Sequence, residues 1–173
     1  MPASWLDSRL KIRPSRIHGR GTFATAPIAT GETVTVWEHR VLHEPDVRAA
    51  PPGELWRRGD GVSVWVPPND LTNAEHFLNH SCDPNVWMSN EVTLVTRRDI
   101  ARNEELMSDY ALWELDPAWV SRFRCRCGSS MCRGVVTGRD WQSLDLQRRY
   151  GAHLLPPSAH EPHCGARACL SPA

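Results

Sequence analysis

Lysine is almost missing from this chain of 173 residues: Lys11 stands alone, and every other basic side chain is an arginine. Tyrosine is nearly as scarce, with Tyr110 and Tyr150 only. Neither sign of charge is in excess, because 20 basic residues meet 20 acidic ones. No global field therefore draws the molecule to nucleic acid or to an anionic membrane, and recognition of a charged partner must be local. Long apolar runs are absent, which excludes a bilayer-spanning helix, and the opening MPASWLDSRLKIRPSR lacks the unbroken apolar core of a secretory signal. The expected location is cytoplasmic, or nuclear in a eukaryotic source. With 40% hydrophobic residues, there is enough apolar material for one compact domain and a short appendage.

Helix signals are few, and most come late. The first hundred residues read as short strands broken by turns: GETVTVW at 31–37, GVSVWV at 61–66 and VTLVT at 92–96 all alternate apolar and polar positions. The Pro- and Gly-rich stretch 45–61 reads as an exposed connection with one helical turn. Asp70 or Thr72 is placed to cap a short helix through NAEHFLNH, and Asp116 before Pro117 to start another through PAWVSRFR. Asp140 is placed to cap a third, through WQSLDLQRRY, with Gly151 ending it. From residue 152 onward prolines and the lack of any period predict a loosely ordered tail, whose HEPHCGARAC is read as solvated rather than as a second metal site. The fold class is mainly β with short helices.

Four segments carry chemistry. In CRCGSSMCRG, Cys125 and Cys127 are one residue apart, and Gly128 lets the chain double back so that Cys132 faces the same point. Three thiolates on one tetrahedral zinc need a fourth ligand from elsewhere; Cys82, Cys164, Cys169 and the tail histidines are the candidates. In IHGRGTFAT, Gly19 and Gly21 flank Arg20 in a tight turn that a ligand can approach closely. NEELMSDYALW delivers Tyr110 at the end of a strand-like segment, where a phenol can accept or donate a hydrogen bond. NHSCDPN, at 79–85, sets an amide, an imidazole and a thiol side by side before a turn.

Taken in order, GRGTFA, FLNHSCDPN, EELMSDY and CRCGSSMCRG resemble the signature of SET-domain protein-lysine methyltransferases with a zinc-binding post-SET segment, over roughly residues 8–135. The resemblance implies a β-clip fold in which the Asn-His segment and the tyrosine segment meet in a knot-like crossing. It also implies a division into a SET domain at 8–115, a post-SET zinc segment at 116–135, a C-terminal helix at 136–151 and a tail at 152–173. The cofactor it implies is S-adenosylmethionine, cradled by the backbone around His18, Gly19, Arg20, Gly21 and Phe23, with Asn79 at the methionine end and the main chain of His80 against the adenine. Tyr110 becomes the catalytic residue, and Cys82 joins Cys125, Cys127 and Cys132 in a structural four-thiolate zinc site.

One departure from the family pattern stands out. Many members line the lysine channel with further tyrosines, whereas here Trp65, Phe77 and Trp113 are the available wall. The expected function is methyl transfer to lysine in a protein substrate, histone or other. The alternative is a catalytically silent binding or regulatory protein on the same fold, which the scarcity of tyrosine motivates. The partner is a protein carrying a target lysine, with no membrane and no direct nucleic-acid binding indicated.

Overall fold

The computed structural model describes residues 5–37, 40–43, 46–49, 54–57, 62–66, 77–90 and 92–154. Three sheets carry the described fold. In the first, β1 (Trp5–Leu6), β4 (Thr33–Val36), β10 (Thr93–Thr96) and β9 (Val86–Asn90) lie side by side in that order, all antiparallel. The second runs β2 (Leu10–Pro14), β3 (Arg20–Ala24), β11 (Glu105–Ser108), β8 (Asn79–His80). Its last pair is parallel, with Met107 opposite Asn79 and Ser108 opposite His80. The third contains β5 (Arg40–His43), β7 (Val62–Val66) and β6 (Glu54–Arg57). The one α-helix among the described residues, α1 (Leu144–Tyr150), ends at Gly151, whose N–H donates to the Gln147 carbonyl.

The alternating segments do form β4, β7 and β10, but β4 is not apolar on one face only. Val34 and Thr35 are both buried, because β4 is an interior strand covered on both sides. The Thr35 hydroxyl is satisfied by donating to the Trp5 carbonyl at 3.1 Å. Thr96 is buried on the same terms, donating to the Ala29 carbonyl at 2.6 Å. Around them Val34, Met88, Leu94, Ile100, Leu106 and Leu112 form one continuous core, which α1 closes with Leu146 and Tyr150. Truncating a fully buried member such as Leu106 to alanine would cost about 2–5 kcal/mol.

A single polar side chain clamps β11 to the loop that follows β8. Asn85 is fully buried; its Nδ2 donates to the Glu105 carbonyl at 2.8 Å and to Glu104 Oε1 at 2.9 Å, while its Oδ1 accepts the Met107 N–H at 2.7 Å. Its own backbone N–H donates to the Met107 carbonyl at 3.1 Å, so side chain and main chain act together. This clamp and the parallel β8–β11 pairing bring NHSCDPN against β11, and Tyr110 follows two residues after that strand, opening a 3-10 turn at Tyr110–Leu112 instead of closing the strand itself.

Some expectations are overturned. Glu54–Arg57, read as part of a connection, pairs with β7 as a strand, and the helical turn of that stretch is a 3-10 turn at Asp46–Ala49. Asp116 starts one turn instead of a helix, taking the Trp119 N–H on its carbonyl and the Ala118 N–H on its carboxylate, both at 2.9 Å. The chain then extends because Val120 bridges Thr137 and the Cys125 N–H donates to the Gly134 carbonyl at 2.7 Å; pairing with the returning loop wins over local propensity. Helix α1 starts at Leu144, since the Asp140 carboxylate is taken by Arg133 and Thr137 rather than by a cap. Most of the helix expected before NHSCDPN lies outside the described residues, as does the tail beyond Leu154, and Asn79-His80 is a strand.

Candidate active site and cysteine cluster

Where β8 meets the turn before β3, the surface opens into a cleft with about 400 Å³ of space shared with solvent. Ile17, His18, Asn79, His80 and Tyr110 form one side, and Phe123, Arg124, Cys125 and Arg126 of the chain after β11 form the other. Asn79 Nδ2 is spoken for within the protein: it donates to Glu105 Oε1 at 2.6 Å and toward the carbonyls of Arg20 and His18 at 3.1 and 3.2 Å. The amide thus braces the glycine turn. Glu105 braces it again, because its Oε2 accepts from Ser15 Oγ at 2.9 Å, and that oxygen accepts the Ile17 N–H. Gly21 leaves room for this arrangement, since a Cβ there would stand 2.0 Å from Glu105 Oε1 and would displace the carboxylate from Asn79 and Ser15.

Tyr110 is pinned at both ends. Its hydroxyl donates to the Leu78 carbonyl at 3.0 Å, and its backbone N–H donates to His80 Nδ1 at 3.3 Å. An N–H can only donate, so Nδ1 is the bare nitrogen and His80 carries its proton on Nε2, which lies 3.3 Å from Cys82 Sγ. Burial pushes the His80 pKa down to about 4 against the opposing pull of Asp109, so the ring is neutral near pH 7. Aromatic side chains surround Tyr110: the rings of His80, Trp113, Phe123 and Trp119 lie 5.2, 5.6, 6.2 and 6.4 Å away. Phe123 also faces His18 at 6.4 Å and 29°, across the cleft.

The cysteine sulfurs of Cys82, Cys125, Cys127 and Cys132 all lie within 4.8 Å of one another, and Cys82 and Cys125 are 3.9 Å apart. Zinc–sulfur bonds of about 2.3 Å in a tetrahedron put sulfurs about 3.8 Å apart, so the cluster is compatible with zinc. Gly128, at φ +75°, makes the reversal between Cys127 and Cys132 that L side chains resist. Burial pushes Cys82 up to about 11 and raises Cys125 as well. Cys127 is the exception: burial raises it, but hydrogen bonds from the backbone at Cys82 and Ser129 outweigh that and bring it to about 7. Two of the four thiols therefore ionise near neutral pH only when a cation takes up the charge, so metal capture releases protons.

The other expected residues fall around this centre with different degrees of contact. Trp113 packs on Tyr110, with Trp37 at its far side 5.8 Å away. Phe77 lies under the Arg20 guanidinium, 4.0 Å from the ring centre. Gly19, Arg20 and Gly21 form the braced turn and its exit, while Phe23 faces Lys11 and Glu105 in β3 and lies near Arg13, away from the cleft wall. Trp65 belongs to β7, and its side chain lies outside what is described.

Several residues of the centre were not singled out from the sequence. Trp119 and Phe123 had been assigned to a helix, and only the extended backbone turns them toward Tyr110. Asp109 is fully buried beside Tyr110; it receives two hydrogen bonds from Arg133, at 2.6 and 2.7 Å, one from the Tyr150 hydroxyl at 2.8 Å and one from the Ala111 N–H at 3.0 Å. Arg133 also donates from Nε to Asp140 at 2.7 Å, and its backbone N–H reaches Cys82 Sγ at 3.3 Å. Burial pulls its guanidinium pKa down, but the pair with Asp109 more than offsets this and holds it above the ordinary arginine value. The sole hint in the sequence was that Arg133 follows a candidate ligand.

The family model described as SET domain matches residues 19–111. The chain is 31% identical over 144 residues to histone-lysine N-methyltransferase ATX2 of Arabidopsis thaliana, covering 74% of this chain and 13% of that protein. It is 31% identical over 145 residues to the H3 lysine-4 specific histone-lysine N-methyltransferase of Schizosaccharomyces pombe, covering 74% and 15%. The chain thus spans about a seventh of the length of these relatives. Among solved structures, the methyltransferase domain of human histone-lysine N-methyltransferase SETMAR shares the fold, with a TM-score of 0.55 and 24% identity over 75% of this chain and 58% of that one. With the family model covering more than half of its length, this chain belongs to the SET-domain family.

Proposed function

We propose that this chain moves a methyl group from S-adenosylmethionine to the side-chain amine of a lysine in a protein substrate. The observation that carries the reading is Tyr110, fixed by Leu78 and His80 at the wall of a cleft whose neighbouring surface is Asn79 and the braced glycine turn. Names of the relatives support it, since those proteins are histone-lysine methyltransferases.

The cleft fits the cofactor in kind: it is open to solvent, bordered by a glycine turn whose peptide groups a ligand can approach, and flanked by facing rings at His18 and Phe123. The backbone of His18, Gly19, Arg20 and Gly21 would cradle it, with Phe23 behind them in the sheet rather than at the cleft; Asn79 would receive its methionine end, and the main chain of His80 would meet its adenine. Bound S-adenosylmethionine supplies an electrophilic methyl on a sulfonium. The protein's own part is to hold a neutral lysine amine in line, which can account for several kcal/mol of the barrier. Because the Tyr110 proton is engaged by Leu78, its oxygen acts as an acceptor toward the partly positive methyl and the amine, an electrostatic role rather than that of a general base. Trp113, Phe77 and Trp65 would wall the lysine channel.

Cys82, Cys125, Cys127 and Cys132 would hold one zinc ion that cross-links the post-SET segment and takes no part in the reaction. On this reading residues 8–115 form the SET domain, 116–135 the post-SET zinc segment, 136–151 the closing C-terminal helix region and 152–173 the tail. No helix among the described residues is long and apolar enough to cross a membrane. A histone substrate would place the chain's work on chromatin.

The test is incubation with radiolabelled S-adenosylmethionine and either histone H3 or a cell lysate, beside Tyr110→Phe. Label in a protein band, lost in the variant while cofactor binding persists, is the expected result. Cofactor binding without transfer to any protein would instead support the silent regulatory protein.

A further inference from the structure

We propose that Arg133 is a positioning residue through which closure of the cysteine cluster sets the placement of Tyr110. The proposal rests on the methyltransferase reading above, but its structural half can be tested without turnover.

Arg133 makes contact in two directions at once. Its peptide N–H lies on Cys82 Sγ, and its guanidinium grips the Asp109 carboxylate with two hydrogen bonds. A bidentate guanidinium–carboxylate pair fixes the plane of the carboxylate as well as its distance, which one ammonium cannot do. Asp109 in turn caps the short turn Tyr110–Leu112 through the Ala111 N–H, so the orientation of that carboxylate fixes the backbone that carries Tyr110. A third donor, the Tyr150 hydroxyl from the end of α1, leaves the carboxylate little room to rotate. Arg149 ties the other side, donating to the Cys82 carbonyl at 2.9 Å. Once the loop that carries Cys132 has folded onto Cys82, Arg133 is delivered to Asp109; until then a fully buried carboxylate lacks its main counter-charge.

A merely structural arginine would stabilise the loop and nothing more. The two roles separate because Arg133→Ala keeps the peptide N–H and all four thiols while deleting the grip on Asp109. The scarcity of tyrosine supplies the probe: protein grown with 3-fluorotyrosine shows two fluorine resonances, which Tyr150→Phe assigns. In zinc-loaded Arg133→Ala we expect zinc stoichiometry to stay at that of the parent and the Tyr110 resonance to shift or broaden. Chelation of the parent protein should move the same resonance. If transfer is active, kcat falls on the order of 10- to 100-fold with KM for cofactor and substrate within about threefold, and added guanidinium ion restores part of it. Arg133→Lys, which keeps the charge without the fork, gives an intermediate shift and serves if the alanine variant does not fold.

A Tyr110 resonance unmoved in the zinc-loaded variants, or unmoved on chelation of the parent, would overturn the proposal. So would loss of zinc in Arg133→Ala matched by an equal loss of cofactor affinity, which is the mark of a purely structural loop anchor. If the parent transfers no methyl group at all, the functional reading fails while the fluorine spectra still decide the coupling.

Discussion

Replacing Gly21 with alanine should destabilise the protein through one contact. The new Cβ would lie 2.0 Å from Glu105 Oε1 and 2.6 Å from Glu105 Cδ, so the carboxylate must swing away. In doing so it forfeits the bonds from Asn79 at 2.6 Å and from Ser15 at 2.9 Å. Hydrogen bonds to a charged group contribute about 1.5–3 kcal/mol each, giving a gross loss of about 3–6 kcal/mol. Gly21 does not sit in the left-handed region, so alanine returns about 0.4–1 kcal/mol by narrowing the unfolded ensemble, and the net cost is about 2–5 kcal/mol. Urea unfolding measures this, and titration with S-adenosylmethionine should show weaker binding, since the brace on the His18–Gly21 turn is gone. The decisive comparison is the Glu105→Ala background, where the clash is absent. There Gly21→Ala should be neutral or stabilising by up to about 1 kcal/mol. Equal costs in the two backgrounds would refute the reasoning and place the demand for glycine elsewhere.

Elemental analysis should find one zinc per chain in the parent protein and a clear deficit in Cys82→Ser. A chelator should lower the parent's stability by about 4 kcal/mol if the ion was present at a thousand times its dissociation constant, and a melting temperature indifferent to chelation would contradict the four-cysteine site. Asn85→Ala strands the Met107 N–H and removes both donors from Glu104 and Glu105; a loss of about 2–4 kcal/mol in chemical denaturation is expected. For Tyr150, burial and the neighbouring Asp109 carboxylate raise the phenol above its ordinary value of 10.0. The unfolded chain thus loses that proton first, and the stability the phenol contributes is present below pH 10 and lost as pH rises beyond it. Absorbance titration of the two tyrosines should show one phenol titrating late, and that late phase should vanish in Tyr150→Phe.

What could be read in advance was whatever lies close together along the chain. Cys125, Cys127 and Cys132 announce themselves by spacing around Gly128, and strands β4, β7 and β10 by alternation. Joining Asn79 and Cys82 to Tyr110 needed the family resemblance, because about thirty residues separate that segment from Tyr110. Misreadings have physical causes. The Asp116-Pro117 pair is a sound helix start, but Val120 and Cys125 found backbone partners in the returning loop. Glu54–Arg57 sits among prolines and glycines, yet β7 offered it a strand to pair with. Asp109, Arg133 and Asn85 left almost no local trace: an aspartate before a tyrosine, an arginine after a cysteine and an asparagine in a turn are common anywhere, and their meaning comes from partners 19 to 41 residues away.

The bonds that Arg149 and Tyr150 make to Cys82 and Asp109 bear on the order in which the protein can be built. A chain emerging from the ribosome presents Cys82 before Cys125, Cys127 and Cys132 exist to cluster with it, and Asp109 before Arg133, which pairs with it, has been made. Tyr110 gains the full set of contacts that hold Asp109 beside it only after residue 150 has been made and α1 has docked. A nascent chain therefore carries Cys82 without its three partner thiols until residue 132 is added, and Asp109 without Arg133 until residue 133 is added. Zinc supplied during synthesis, or shielding of Cys82, should accordingly raise the yield of folded protein.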